Sequence, residues 1–205
     1  RHRYPAPSFS DSSFCSSAYR KAVSAIIFSP HTMRSPASQT ALLRGLSHRH
    51  ELRELMTDLA AYRSSEREKL RVADLMRLLP RDISSALDIG ARDGFVSLRL
   101  AETIPAVTAL DLIEPSIKHD KIKCVTGDIC ELAFNDNAFD LVFCTEVLEH
   151  IPPTMLGNAC NELKRVSYRY IIVGVPYKQD IRVSRTTCST CRKVNPPWGH
   201  VNSFD

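Results

Sequence analysis

The stretch ALDIGARDGFVSLRLA, from Ala86 to Ala101, constrains this chain more than any other. Ala86, Leu87 and Ile89 form a short apolar run that reads as a strand. A glycine turn follows from Gly90 to Gly94, and a helix opens near Phe95. Glycine accepts backbone angles that a Cβ forbids, and it lets a ligand touch the main chain. Open α/β sheets use a strand, such a turn and a helix to hold nucleotide-like ligands at the carboxyl ends of their strands. Asp88 lies at that end of the strand.

The downstream pattern sets the fold class. Apolar runs predict strands over 85–89, 106–112, 122–126, 139–144 and 168–175, with helices over 95–103 and about 154–164. Continuous apolar strands separated by helical segments predict an α/β fold. Its sheet is Rossmann-like, doubly wound and mainly parallel, with helices on both faces. Upstream, Leu52, Leu55, Met56 and Leu59 recur at three- and four-residue steps, as do Leu75, Met76, Leu78 and Leu79. They predict one or two amphipathic helices ended by Pro80. Such helices either pack on the sheet edge or cover its crevice. After Pro176 the periodicity fades into a polar segment holding Cys188, Cys191, Pro196, Pro197, Trp198 and His200.

Charge divides the chain. Of 27 Lys/Arg and 23 Asp/Glu, residues 1–50 hold seven and one. The remainder carries slightly more acid than base, so the net charge of +4 is confined to the arm. The domain organisation read from this is a disordered basic Ser-rich arm over 1–50, a ligand-binding domain with N-terminal helices over 51–180, and a Cys/Trp-containing insertion or truncated C-terminal segment over 181–205. An Arg- and Ser-rich, acid-poor arm also has the profile of a targeting segment. No apolar run approaches the roughly 20 residues that span a bilayer; the longest, Ala22 to Phe28, is far shorter. The acidic balance of the core argues against a nucleic-acid partner. Cys124, Cys130, Cys144 and Cys160 lie in or beside apolar elements and read as buried free thiols. The chain is therefore expected in the cytoplasm, or in an organelle if the arm is a transit peptide.

Four acids fall in register with strand ends: Asp88, Asp111, Asp128 in Thr-Gly-Asp-Ile, and Glu146 in Thr-Glu-Val-Leu-Glu-His. All project toward the carboxyl edge of the sheet. A carboxylate after the second strand can accept both hydroxyls of a ribose. With LDIGARDG, ALDLIEP, VTGDI and FDLVFCTEVLEHI, the chain resembles the class I S-adenosylmethionine-dependent methyltransferases over about residues 70–178.

That resemblance implies S-adenosylmethionine as cofactor. It assigns Asp88, Gly90 and Gly94 to the loop around the methionine part, and Asp111 to the ribose. Asp128 is implied to bond the adenine amino group, with Ile129 against the ring, and Thr145 and Glu146 to line the floor. The middle glycine usual in the family's loop is Arg92 here. Its side chain is expected to point away from the cofactor or toward a substrate. The superfamily usually adds two strands after the fifth. Their absence from the pattern implies a fragment or a shortened sheet.

The sulfonium is an activated electrophile, so the protein must chiefly align an acceptor and, for a hydroxyl, supply a base. His150 is the first candidate and His200 the second; a structural role for His150 weighs equally. Glu149 reads as a surface or capping acid. Cys188, Cys191 and His200 have spacing suited to three of the four ligands of a zinc ion, and a reduced or redox pair is the alternative. The tail TTCSTCRKVNPPWGHVNSF is similar to a segment found in sugar- and small-molecule-methylating members of the family. The expected activity is methyl transfer to a small molecule or glycan, at oxygen. A non-catalytic binding module and an RNA or protein methyltransferase are the competing readings.

Overall fold

The computed structural model describes residues 23–28, 59–183, 185–187, 192 and 194–205, with the backbone alone for 23–28. Twelve strands and α-helices are found among the described residues. They are β1 (Val23–Phe28), α1 (Ala60–Ser64), α2 (Glu66–Arg77), β2 (Ser85–Ile89), α3 (Phe95–Ala101), β3 (Ala106–Asp111), β4 (Ile122–Thr126), β5 (Phe139–Thr145), α4 (Leu156–Val166), β6 (Ser167–Pro176), β7 (Thr186–Thr187) and β8 (Val194–Asn195).

Six strands form one sheet in the order β1-β6-β5-β2-β3-β4. Strands β2 to β6 are mutually parallel, and β1 runs antiparallel to β6, from Val23 opposite Pro176 to Phe28 opposite Ile171. The strand order reverses between β2 and β5. At that point the two connections leave in opposite directions, and a crevice opens at the carboxyl ends. The Gly90–Gly94 turn and the segment after Thr145 meet there.

Each central strand is buried on both faces, which its continuous apolar sequence demanded. Leu141, Val142, Phe143 and Cys144 of β5 are all fully buried. Alternate residues serve opposite layers. Leu87, Val142 and Cys144 pack with Ala159, Leu163 and Val166 of α4. Ala86, Leu141 and Phe143 pack with Leu75 of α2 and with Val96 and Leu100 of α3. Helices on both faces are the doubly wound arrangement the pattern predicts.

Helix α2 begins where Ser65 accepts the Glu68 N–H at 3.3 Å, with Glu66 and Glu68 in its first turn and Arg77 in its last. Both charge placements favour the helix dipole. The expected upstream helices are thus present from Ala60; Leu52, Leu55 and Met56 lie outside the described residues.

Two expectations need correction. The arm over 1–50 was given no element, yet VSAIIF supplies the antiparallel edge strand beside β6. Its β-branched and aromatic residues suit a strand, but one short run amid Ser and Pro carries no repeating signal. The cysteines are also not uniformly buried. Cys144 is, Cys124 and Cys130 are partly so, and Cys160 is exposed on α4. Among the described residues, no helix is long and apolar enough to cross a membrane.

Candidate functional site

The crevice is built on two glycines with left-handed backbone, Gly90 at φ 80° and Gly94 at φ 76°. The Gly90 and Ala91 N–H groups donate to Leu110 O at 2.9 and 3.1 Å, which ties the turn to the end of β3. A Cβ on Gly90 would stand 2.5 Å from Val147 Cγ2. Strain and overlap together make Gly90→Ala cost about 1–3 kcal/mol. Thermal denaturation of that variant checks this, and an unchanged midpoint would contradict the tight packing of turn against Val147.

Arg92 occupies the middle of the turn at φ 44°, a conformation glycine takes more easily. Its backbone N–H donates to Asp111 Oδ2 at 2.9 Å. Asp111 Oδ1 accepts from Leu112 N at 2.7 Å. An ionised carboxylate has about four acceptor positions, so Asp111 retains capacity for a diol. The Arg92 charge is felt at His150, where it opposes protonation.

Asp88 is 2% exposed and accepts from Ser97 Oγ at 2.5 Å. Burial, opposed by that hydrogen bond and reinforced by Asp111, pushes its carboxyl up to about 7. Asp128 Oδ1 accepts from Cys130 N at 2.8 Å in a tight turn. Ile129 is almost wholly buried among Leu110, Leu132 and Val142, so it backs the crevice from within the core. Leu112 and Ile113, beside Asp111, are half exposed instead. They are apolar surface at the crevice edge that the sequence reading passed over, although ALDLIEP contained them.

Thr145 is buried at the end of β5. Glu146 follows in the left-handed region at φ 58° and donates its N–H to Gly174 O at 2.9 Å. Non-glycine residues persist there when their surroundings over-determine them, and such positions gather at functional sites. Burial raises the Glu146 carboxyl, against the pull of Arg71 3.8 Å away.

The upstream helices cover this edge through charge. Arg63 Nε and Nη2 each donate to Asp93 of the glycine turn at 3.0 Å, and its guanidinium lies 5.0 Å from the Phe95 ring centroid. Arg63 also donates to Glu68 Oε1 at 2.5 Å. Glu68 is 1% exposed and accepts two further bonds from Arg71 at 2.7 Å. Burial disfavours its charge, but Arg71 and Arg63 more than offset this and hold the carboxyl below its usual range. Helix α2 packs on the sheet through Leu75, and Arg63 of α1 tethers the turn.

The two candidate histidines meet. His150 and His200 stack edge to face with centroids 4.7 Å apart, although fifty positions separate them. Val201 and Asn202 N–H groups donate to Glu149 O, and Asn202 Nδ2 donates to Leu148 O and Ile151 O; these bonds bring the tail back to the β5 loop. Burial, with the neighbouring His150, lowers His200 to about 4. Burial also lowers His150, opposed by a hydrogen bond to the Gly199 backbone. Both shifts favour the neutral ring at pH 7. Trp198 is largely exposed, its ring 5.9 Å from that of His200. Glu149, read as a surface or capping acid, is 0% exposed. The preceding apolar Val147 and Leu148 draw the turn inward and take it along. Cys188 and Cys191, expected as zinc ligands with His200, lie outside the described residues.

Residues 87–168 match the methyltransferase domain family. An uncharacterized methyltransferase of Mycobacterium tuberculosis is 31% identical over 84 residues, 38% of this chain and 43% of that protein. A ubiquinone biosynthesis O-methyltransferase of Nitrosospira multiformis is 28% identical over 126 residues, 49% of this chain and 52% of that protein. The chain thus spans about half the length of these relatives. Among solved structures, the N-methyltransferase NodS of Bradyrhizobium japonicum, in complex with S-adenosyl-L-homocysteine, superposes with a TM-score of 0.56. It is 23% identical, with 73% of this chain and 76% of that one covered. That likeness is one of fold.

Proposed function

We propose, from the match of residues 87–168 to the methyltransferase domain family, that this chain is a class I S-adenosylmethionine-dependent methyltransferase and methylates a small-molecule or glycan hydroxyl. The observation that carries the reading is Asp111. It sits at the end of β3 beside the switch point, hydrogen-bonded to the glycine turn, with acceptor capacity to spare. The residues fit the cofactor. Gly90 and Gly94 leave the two ends of the turn without side chains, Leu112 and Ile113 offer apolar surface to a base, and Asp128 stands at the next strand end. The NodS complex with S-adenosyl-L-homocysteine supports that occupant for this fold.

When bound, S-adenosylmethionine supplies an activated methyl group. The chain's residues do the rest. Asp111 holds the ribose hydroxyls, Asp128 the adenine amino group, and Asp88, Thr145 and Glu146 shape the floor. His150, neutral and exposed at the acceptor side, takes a hydroxyl proton. His200 positions the His150 ring by stacking. Trp198 offers an apolar wall to the acceptor. The O-methyltransferase relative supports oxygen as the accepting atom.

The test is transfer of label from methyl-tritiated S-adenosylmethionine to a panel of phenols, catechols and sugars. RNA and protein acceptors run in parallel. The expected result is label on a hydroxyl compound, lowered about 100-fold or more by His150→Ala, within the range of general-base effects. Label appearing in RNA or protein alone would overturn it.

A further inference from the structure

Glu149 is 0% exposed, and neither of its carboxylate oxygens has a hydrogen-bond partner. Burying a carboxylate without partners is costly, so such groups are paired, neutralised or bound to metal. What faces this one is a pair of imidazoles. One carboxylate oxygen and one ring nitrogen from each of His150 and His200 all lie within 4.8 Å of one another.

The His200 ring is also set for ligation. His200 Nδ1 lies 2.5 Å from Gln179 Oε1. An amide oxygen can only accept, so Nδ1 carries the hydrogen and Nε2 keeps its lone pair. Tying one ring nitrogen to an outer oxygen is how proteins orient metal-binding histidines.

We propose that Glu149, His150 and His200 bind a divalent transition-metal ion beside the cofactor crevice. Two imidazoles and one carboxylate suit zinc and leave a fourth position open. Zinc bonds of about 2.0–2.1 Å set ligand atoms roughly 3.3 Å apart. The exposed His150 ring can close that difference by rotating. With the ion bound His150 is a ligand and no longer the base: the open position takes an acceptor oxygen, and a metal-bound hydroxyl gives up its proton to solvent more readily. That last role rests on the methyl-transfer reading; the metal site itself does not.

The experiment titrates zinc into the chelator-treated full chain by competition calorimetry and reads the absorption spectrum of cobalt(II) in its place. Binding is expected to survive Cys188→Ser with Cys191→Ser, and cobalt should lack thiolate bands. Glu149→Gln should weaken binding at least about 100-fold, because even outer-shell losses cost 10–100-fold. Gln179→Ala, which leaves all three ligands in place, should weaken it about 10-fold. It stands in if Glu149→Gln fails to fold. Asp111→Ala should leave metal affinity unchanged, which separates this site from the cofactor reading. No binding by the wild-type chain, or binding lost only with the cysteines, overturns the proposal.

Discussion

Replacing Glu68 with alanine is expected to remove about 3–5 kcal/mol of folding stability, the range seen when a buried ion pair loses one member. The carboxylate is 1% exposed and takes three bonds, one from Arg63 and two from Arg71. Both guanidinium side chains are themselves mostly buried, 16% and 11% exposed. Without Glu68, Arg71 keeps only Glu146, at 3.8 Å, and one of its nitrogens already lacks a hydrogen-bond partner. Arg71 is then a buried cation without a close partner, while Arg63 keeps Asp93 alone. Urea unfolding at pH 7 measures the loss; under about 1 kcal/mol would place the network in the class of surface ion pairs. The effect should reach the crevice as well, because Arg63 also holds Asp93 of the glycine turn.

Asp111→Ala should weaken S-adenosylmethionine binding by about 100-fold or more. Hydrogen bonds to a charged acceptor contribute about 1.5–3 kcal/mol each, and tenfold in affinity is about 1.4 kcal/mol. Two ribose hydroxyls therefore account for the predicted loss. The substitution also frees the Arg92 N–H from its anchor at 2.9 Å, so the turn loses part of its preorganisation. The fold should persist, since Asp111 lies at the sheet edge and is only partly buried. Circular dichroism of the variant checks that the loss is one of binding.

The parallel strands were legible because burial on both faces writes itself as unbroken apolar sequence. Ser85–Ile89 and Ile122–Thr126 have the predicted bounds, and the others shift by one or two residues. The strand-end acids were legible for a related reason: a polar residue that closes an apolar run must sit at the sheet's carboxyl edge. Contacts between distant segments were not. Nothing in the neighbourhood of His150 announces His200, because the bond from Asn202 that joins their loops spans over fifty residues. Glu149 looked like a solvent-facing acid, since a one-dimensional pattern cannot tell a turn that points outward from one drawn in by Leu148. The edge strand Val23–Phe28 needs only one short apolar run, and its partner lies far down the chain.

Calorimetric titration of the full chain with S-adenosylmethionine, beside Asp111→Ala, tests the central claim most directly. The account predicts one site per chain with micromolar affinity, lost in the variant while its fold is retained. A folded wild-type chain that binds no cofactor, or a variant that binds as well as the wild type, would contradict it.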